Sequence, residues 1–274
     1  MSSARYGRRL SDVKLKRLVP FLVFLVAFGA YTATIAPGTL FGDPSEYQFI
    51  PAILGIAHPP GYAFYTLLAK AWHLLIPLGT VALRTNLLAA AVGAWTVTTV
   101  SLAARELGLG AGSNEGEVGD ARRPTSFLSD PWADRLLILS SVFAALVLAA
   151  APDLWQHAIH ANAHIVSTAL TATHLWFLTR WWRTGRDGWL FAFAAALGLA
   201  ATHHPITLMG VPAYGLFILA VRPRFLLEWR TLLPLVGSLV VGLSPLLYYP
   251  LRSPGVPFGP TDMNTWEGFL RHVT

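Results

Sequence analysis

The feature that most constrains this chain is a succession of long apolar runs separated by short basic clusters. Seven runs stand out, at 18–36, 84–104, 135–151, 163–181, 189–203, 206–221 and 231–250. A helix needs about 20 mostly apolar residues to cross the hydrocarbon of a bilayer. In lipid, every backbone polar group has to be satisfied within the protein, so such runs fold as helices. Only 12% of the 274 residues are charged and 54% are hydrophobic, against about 25% charged in a soluble domain. Too little polar surface exists to cover the chain in water. The expectation is an all-α membrane protein, one domain over 1–274, with about seven transmembrane helices.

The basic clusters set the orientation. The apolar stretch from Leu18 to Ala36 is longer than a signal-peptide core and Pro37 follows it, so it reads as an uncleaved first helix. Segment 60–78 is also apolar, but it follows a double proline and carries Lys70 and His73. If 60–78 lies along the outer interface and the seven other runs cross, sixteen of the twenty Lys and Arg fall on one side. They sit in the 1–17 tail, in 105–135, in 180–186 and in 222–230. If 60–78 crossed instead, the asymmetry would collapse. The positive-inside rule therefore places the N-terminus in the cytoplasm, with a first outer loop at 37–79 containing an interfacial helix. A cytoplasmic loop follows at 105–134, whose Gly-rich stretch 108–131 reads as a mobile connector. The net charge of +6 is then a topology signal in a cell-membrane protein, and no nucleic-acid partner is expected. The absence of cysteine removes disulfide and thiolate chemistry.

Polar residues gather on the outer side of this layout. Asp43 and Glu46 flank Pro44 and Ser45. One reading is a capping box, with Asp43 as cap, Pro44 at the first helical position and Glu46 at the third. The other is a functional carboxylate pair, since unpaired charge close to a membrane face is costly. His157, His160 and His164 follow i, i+3, i+7 spacing, which predicts one helix face, either a polar stripe or a metal site. Thr202-His203-His204-Pro205 interrupts an apolar stretch at 189–221, as a tight interhelical turn or as the lining of a wet cavity. Tyr248-Tyr249-Pro250-Leu251-Arg252 ends the last run. Arg252 either snorkels to lipid headgroups or clamps a phosphate.

Three motifs, taken in order, carry a family resemblance. Thr34-Ile-Ala-Pro-Gly-Thr-Leu-Phe-Gly-Asp-Pro-Ser-Glu, running on to Gly55-Ile-Ala-His-Pro-Pro-Gly, resembles the first outer loop of the protein O-mannosyltransferase-like membrane family. That family has the GT-C glycosyltransferase architecture and many uncharacterised bacterial members. Arg84-Thr-Asn-Leu-Leu-Ala-Ala, Gly198-Leu-Ala-Ala-Thr-His-His, and Leu247-Tyr-Tyr-Pro-Leu-Arg-Ser continue the likeness. The resemblance implies sugar transfer, mannose or a similar hexose, from a polyprenyl-phosphate donor to an acceptor hydroxyl at the outer membrane face. The acceptor is a protein, lipid or glycan. In such enzymes an acidic residue of the first outer loop acts as base or holds a metal, a role that falls here on Asp43 or Glu46. A divalent metal stays open, and no other cofactor is implied. Where the family tends to carry Glu and then Tyr, this chain has Asn162 and His164. The chain also stops at Thr274, where relatives continue with more helices, which implies a fragment or a reduced homologue.

An inverting transfer needs one base, because a polyprenyl phosphate is a good leaving group. Asp43 is the first choice for that base, with Glu46 second. Fixed positive charge for the phosphate comes from Arg252 and Arg84, with His58 and His204 as hydrogen-bond donors. Asn162, His164, His203 and Tyr249 complete the expected substrate-binding set. Two rivals use the same residues without transfer chemistry: a binding or transport protein for lipid-linked sugars, and a scaffold within a larger membrane complex.

Overall fold

The computed structural model describes the backbone at residues 2–111 and 131–273, and the side chains at 18–110 and 132–273. Most of the Gly-rich connector therefore lies outside the described residues. Among the described residues there are twelve α-helices, three short 3-10 turns and no strand.

Helix α1 (Ser2–Ala33) begins within the segment expected as a basic tail. Two short helices follow, α2 (Asp43–Ile53) and α3 (Ala63–Leu75). Helix α4 (Val81–Ala111) runs past the expected end of its span at 104, because Glu106 is buried there and paired rather than solvated. Then come α5 (Pro131–Ala149), α6 (Pro152–Ala158), α7 (Ala163–Thr184) and α8 (Asp187–Ala201). The chain closes with α9 (Val211–Val221), α10 (Trp229–Gly242), α11 (Tyr248–Arg252) and α12 (Trp266–Val273).

Helix α4 is the axis of the molecule and packs against α1, α5 and α7, while α8 bridges α7 and α10. The central seam is built from Ala89, Ala90, Ala94, Ala145, Ala158 and Ala163, closed by Tyr31 and Val97. Small residues let helices approach where lipid gives no hydrophobic drive. The α8–α10 contact is the tightest. A Cβ on Gly198 would lie 2.4 Å from the Leu239 carbonyl oxygen, and one on Gly242 would lie 2.1 Å from that of Ala195.

Among the described residues, three helical stretches are long and apolar enough to cross a membrane: Val81–Gly110, Trp132–Ala149 and Trp229–Arg252. The protein is a membrane protein on that ground. Their enclosure differs, with 61% of the first window buried but only 11% of the last, so α10 presents most of its surface outward. The apolar stretches Leu18–Ala33, Asp187–Ala201 and Pro205–Val221 are shorter. Helix α7 has 22 residues but dilutes its apolar character with His164, His174, Arg180 and Arg183.

Segment 60–78 forms a helix of only 13 residues, beginning at Ala63. At 1.5 Å per residue it reaches about 20 Å, too short for a hydrocarbon core of about 30 Å. Its polar side chains are satisfied inside the protein: Lys70 Nζ donates to the Ala52 carbonyl at 2.7 Å, and His73 Nε2 meets Thr85 Oγ1 at 2.8 Å.

Two local expectations are corrected. The histidine stripe does not share one helix. Asn162 is the N-cap of α7, its Oδ1 accepting from the His164 backbone N–H at 2.7 Å. This cap splits the run, leaving His157 on α6 and His160 in the linker. The capping box at α2 does not form either. Gly42 (φ 74°) occupies the cap position without a side-chain cap, and Asp43 is itself the first helical residue.

Candidate active site

The first loop is held in shape by two buried amides. Gln48 Nε2 donates to Asn86 Oδ1 at 2.9 Å and to the Gly38 carbonyl at 3.2 Å. Asn86 donates to the Ala36 carbonyl at 2.7 Å and accepts from the Ala161 N–H at 2.8 Å. One α4 side chain thus ties the start of the first loop to the linker before α7.

On this frame, Glu46 turns back over the loop. Its Oε1 accepts from the His58 backbone N–H at 2.8 Å and its Oε2 from His58 Nδ1 at 2.6 Å. Glu46 is largely covered, with 18% of its side chain exposed, whereas His58 keeps 37%. Asp43 lies one turn earlier on α2 and is exposed. Negative charge at both positions suits the N-terminus of α2.

From His58 a chain of rings runs across the first-loop end of the bundle. Tyr62 lies 5.5 Å from His58, 5.6 Å from His203 and 5.7 Å from His204, centroid to centroid. His204 is 5.8 Å from His164, which is 6.2 Å from His157. Tyr47 packs edge-on against Tyr62 and Tyr65. Burial pushes the hydroxyls of Tyr47 and Tyr62 up, and the carboxylates of Asp43 and Glu46 add to that effect. His204 is pushed down by burial first, then by positive charge on His164 and His58. His160 moves the same way, through burial and then His157.

The expected site residues therefore divide. His58, His203 and His204 meet around Tyr62, with Glu46 held behind His58, and His164 and Asn162 join through His204 and His157. His203 is fully buried and its Nε2 is bound to the Ala163 carbonyl at 2.8 Å, so it holds the start of α7. Tyr249 is behind the site: its hydroxyl donates to the Pro60 carbonyl at 2.9 Å and accepts from the Ala63 N–H at 3.0 Å. Only glycine fits between them, because Gly61 has φ 91° and a Cβ there would lie 2.6 Å from the Tyr249 hydroxyl. Arg252 donates to the carbonyls of Leu54 and Ile53 at 2.8 and 3.2 Å. It supplies the positive charge favoured at the C-terminus of α2. Arg84 folds back onto the Gly79 carbonyl at 3.1 Å, at the α3–α4 corner.

Tyr47, Tyr62, Gln48 and Asn86 escaped the reading of the sequence as site residues. The available signal was an amide buried in each of two apolar helices, which demands a partner.

Beneath the ring chain, a lateral groove of about 370 Å³ opens between α4, α5 and α7. Its lining includes Val100, Leu148, Leu175 and Ile206, with hydroxyls from Ser167 and Thr171. Thr168 bonds to the His164 carbonyl and Thr207 to that of His204, so the groove starts one turn along the chain from those two residues.

Comparison with known proteins now bears on this arrangement. The family described as Protein O-mannosyl-transferase TMEM260 N-terminal domain matches residues 43–226, more than half of the chain, beginning at Asp43 and taking in the whole imidazole cluster. The chain belongs to this family. A relative named Protein O-mannosyl-transferase tmem260, from Dictyostelium discoideum, is 24% identical over 92% of this chain and 30% of its own length. The Mus musculus protein of the same name is 27% identical over 91% of this chain and 33% of its own length. The chain thus spans about a third of these curated relatives. No solved structure matches.

Proposed function

We propose that this chain forms the catalytic end of a membrane mannosyltransferase that moves mannose from a polyprenyl phosphate to a protein hydroxyl. The observation that carries this reading is the meeting of the acidic first turn of α2 with the imidazoles of three separate segments around Tyr62. In the proposed layout the seven apolar runs cross in a GT-C-like arrangement, α3 lies in the interface, and the N-terminus is cytoplasmic. The site then faces the outer leaflet. Family membership and the relatives' printed names support the reaction class.

The residues supply what an inverting transfer needs. The acidic turn supplies the negative charge an arriving proton needs, with Asp43 exposed and Glu46 behind it, bonded to His58. His204 and His164 offer N–H donors to the departing phosphate as negative charge develops on it. Arg84 and Arg252 stand at the margins of the loop, where one ties a turn and the other a helix end. The lateral groove takes the start of the prenyl chain, since its size falls in the range of roughly 300–1,000 Å³ usual for ligand sites. A metal does not fit this arrangement. Both oxygens of Glu46 are engaged by His58, and among the described residues no three metal-ligating side chains converge.

The test is direct. Purified protein in proteoliposomes is given labelled mannosyl polyprenyl phosphate and a Ser/Thr-containing peptide, beside Asp43→Asn and a Glu46→Gln variant. Transfer by the wild type and its loss, with donor binding retained, in at least one variant is the expected result. A carrier of lipid-linked sugars would instead bind the donor, transfer nothing, and move it equally well in all three.

A further inference from the structure

We infer that His58 takes the proton from the acceptor hydroxyl, and that Glu46 acts through it as a positioning residue. This rests on the transferase reading above. The argument begins from what each carboxylate oxygen already holds. Glu46 Oε1 is filled by the backbone N–H of His58 and Oε2 by its Nδ1. For a hydroxyl to reach Glu46 it would have to displace the imidazole. The imidazole itself is arranged for the task. With Nδ1 donating its proton to Glu46, the neutral ring carries its lone pair on Nε2. That nitrogen has no hydrogen-bond partner among the described residues, and the ring is partly exposed. The second bond, to the His58 main chain, fixes the loop as well as the ring, so the lone pair has one direction.

Charged and aromatic groups surround the ring. Glu46 opposes the imidazolium directly, and Asp43 lies within electrostatic range of the same two tyrosines. Tyr47 and Tyr62 pack tilted and edge-on against the ring at 5.8 and 5.5 Å. Two imidazoles act in the opposite sense, His204 and His272, each of which feels His58. Both are pushed toward the neutral form, chiefly by burial, so that one positive charge on His58 is not opposed by a second.

The step balances. The acceptor oxygen bonds to the anomeric carbon as the bond from that carbon to the phosphate oxygen breaks. The bonding pair leaves with the polyprenyl phosphate, and the hydroxyl proton passes to His58 Nε2. The imidazolium, held by Glu46, then returns its proton to water.

The experiment compares His58→Ala, His58→Gln, Glu46→Gln and Asp43→Asn in the proteoliposome assay. His58→Ala should lose kcat by about 10²–10³-fold, and added imidazole should restore part of it. His58→Gln keeps a side-chain donor toward Glu46 and should hold the wild-type melting midpoint while remaining inactive. In Glu46→Gln the acid limb of kcat/KM should move to lower pH, because a neutral amide no longer favours the imidazolium, with little change in donor KM. Asp43→Asn should leave that limb in place. Near wild-type turnover in folded His58→Gln, or loss of the acid limb in Asp43→Asn alone, overturns the role of His58 while the transferase reading stands. No transfer by the wild type overturns both.

Discussion

The two ends of the helix bundle treat charge in opposite ways. At the end away from the first loop, charge is saturated. Glu106, with 6% of its side chain exposed, accepts from Arg180 at 2.9 Å and from Arg183, and Arg180 also lies over Trp189 at 4.4 Å. Arg222 joins Asp187 at 2.8 Å and also pairs with Glu228, while Thr231 and Trp181 donate to the same Asp187. Glu106 is shared by two arginines of α7, and Asp187 by donors from three separate segments. At the first-loop end the side chains are imidazoles, tyrosines and two acids, partly exposed, with ring nitrogens still open. Guanidinium–carboxylate clusters are hard to alter by pH and serve as joints. Imidazoles exchange protons near neutrality and serve chemistry.

Substitutions sharpen this contrast. The largest expected effect on stability is at the saturated end. Glu106→Ala leaves two arginines without their shared partner and should cost about 3–5 kcal/mol, read as a lower midpoint of unfolding in detergent. Turnover per folded molecule should be unchanged. Glu46→Gln should do the reverse, with strongly reduced transfer and a small shift in midpoint. If the Glu106 variant kept its midpoint but lost transfer, the division between joint and site would fail.

Next in size is the α8–α10 contact. Gly242→Ala places a methyl group against the Ala195 carbonyl and should cost about 1–3 kcal/mol by overpacking. Asn162→Ala should cost about 1 kcal/mol through loss of the α7 cap, and Asn162→Asp should recover most of it, since aspartate caps equally well. Unequal stability of Asn162→Asp and wild type would assign Asn162 a further role through its contact with His157, at 3.0 Å.

The smallest effect is a pH dependence. Burial first, and then the positive charges of Arg84 and Lys70, push His73 down to about 4 from 6.5. The unfolded chain therefore takes up a proton before the folded one does. Stability that is present above about pH 6.5 should be lost progressively as pH falls toward 4. His73→Gln should flatten the melting midpoint over that window. An unchanged slope would place the acid sensitivity in the imidazoles around Tyr62 instead.

Much of the architecture was legible from residue order. Each apolar run became helical, Pro205 broke the stretch at 189–221, and the 60–78 segment stood apart as a short helix. Apolar periodicity and proline act locally, so a single chain reports them. The site was legible by composition but not by pairing. Glu46 meets His58 across a reversal that uses left-handed Leu54, at φ 53°, and no periodicity announces such a turn. The histidine stripe was misread because helical spacing was extended through Asn162, whose side chain stops a helix more readily than it continues one. Arg252 found backbone carbonyls that carry no sequence signature at all.

The first loop is fastened by residues that come much later in the chain. Tyr248, Tyr249, Arg252 and His272 bond to Gly55, Pro60, Leu54 and Ala57 across 193, 189, 198 and 215 positions. A ribosome adding 5–20 residues per second needs roughly 10–40 s to deliver those partners. Until then the stretch 54–60 lacks these four ties, and the nascent first loop is shaped by Asn86 and by its own Glu46–His58 contact.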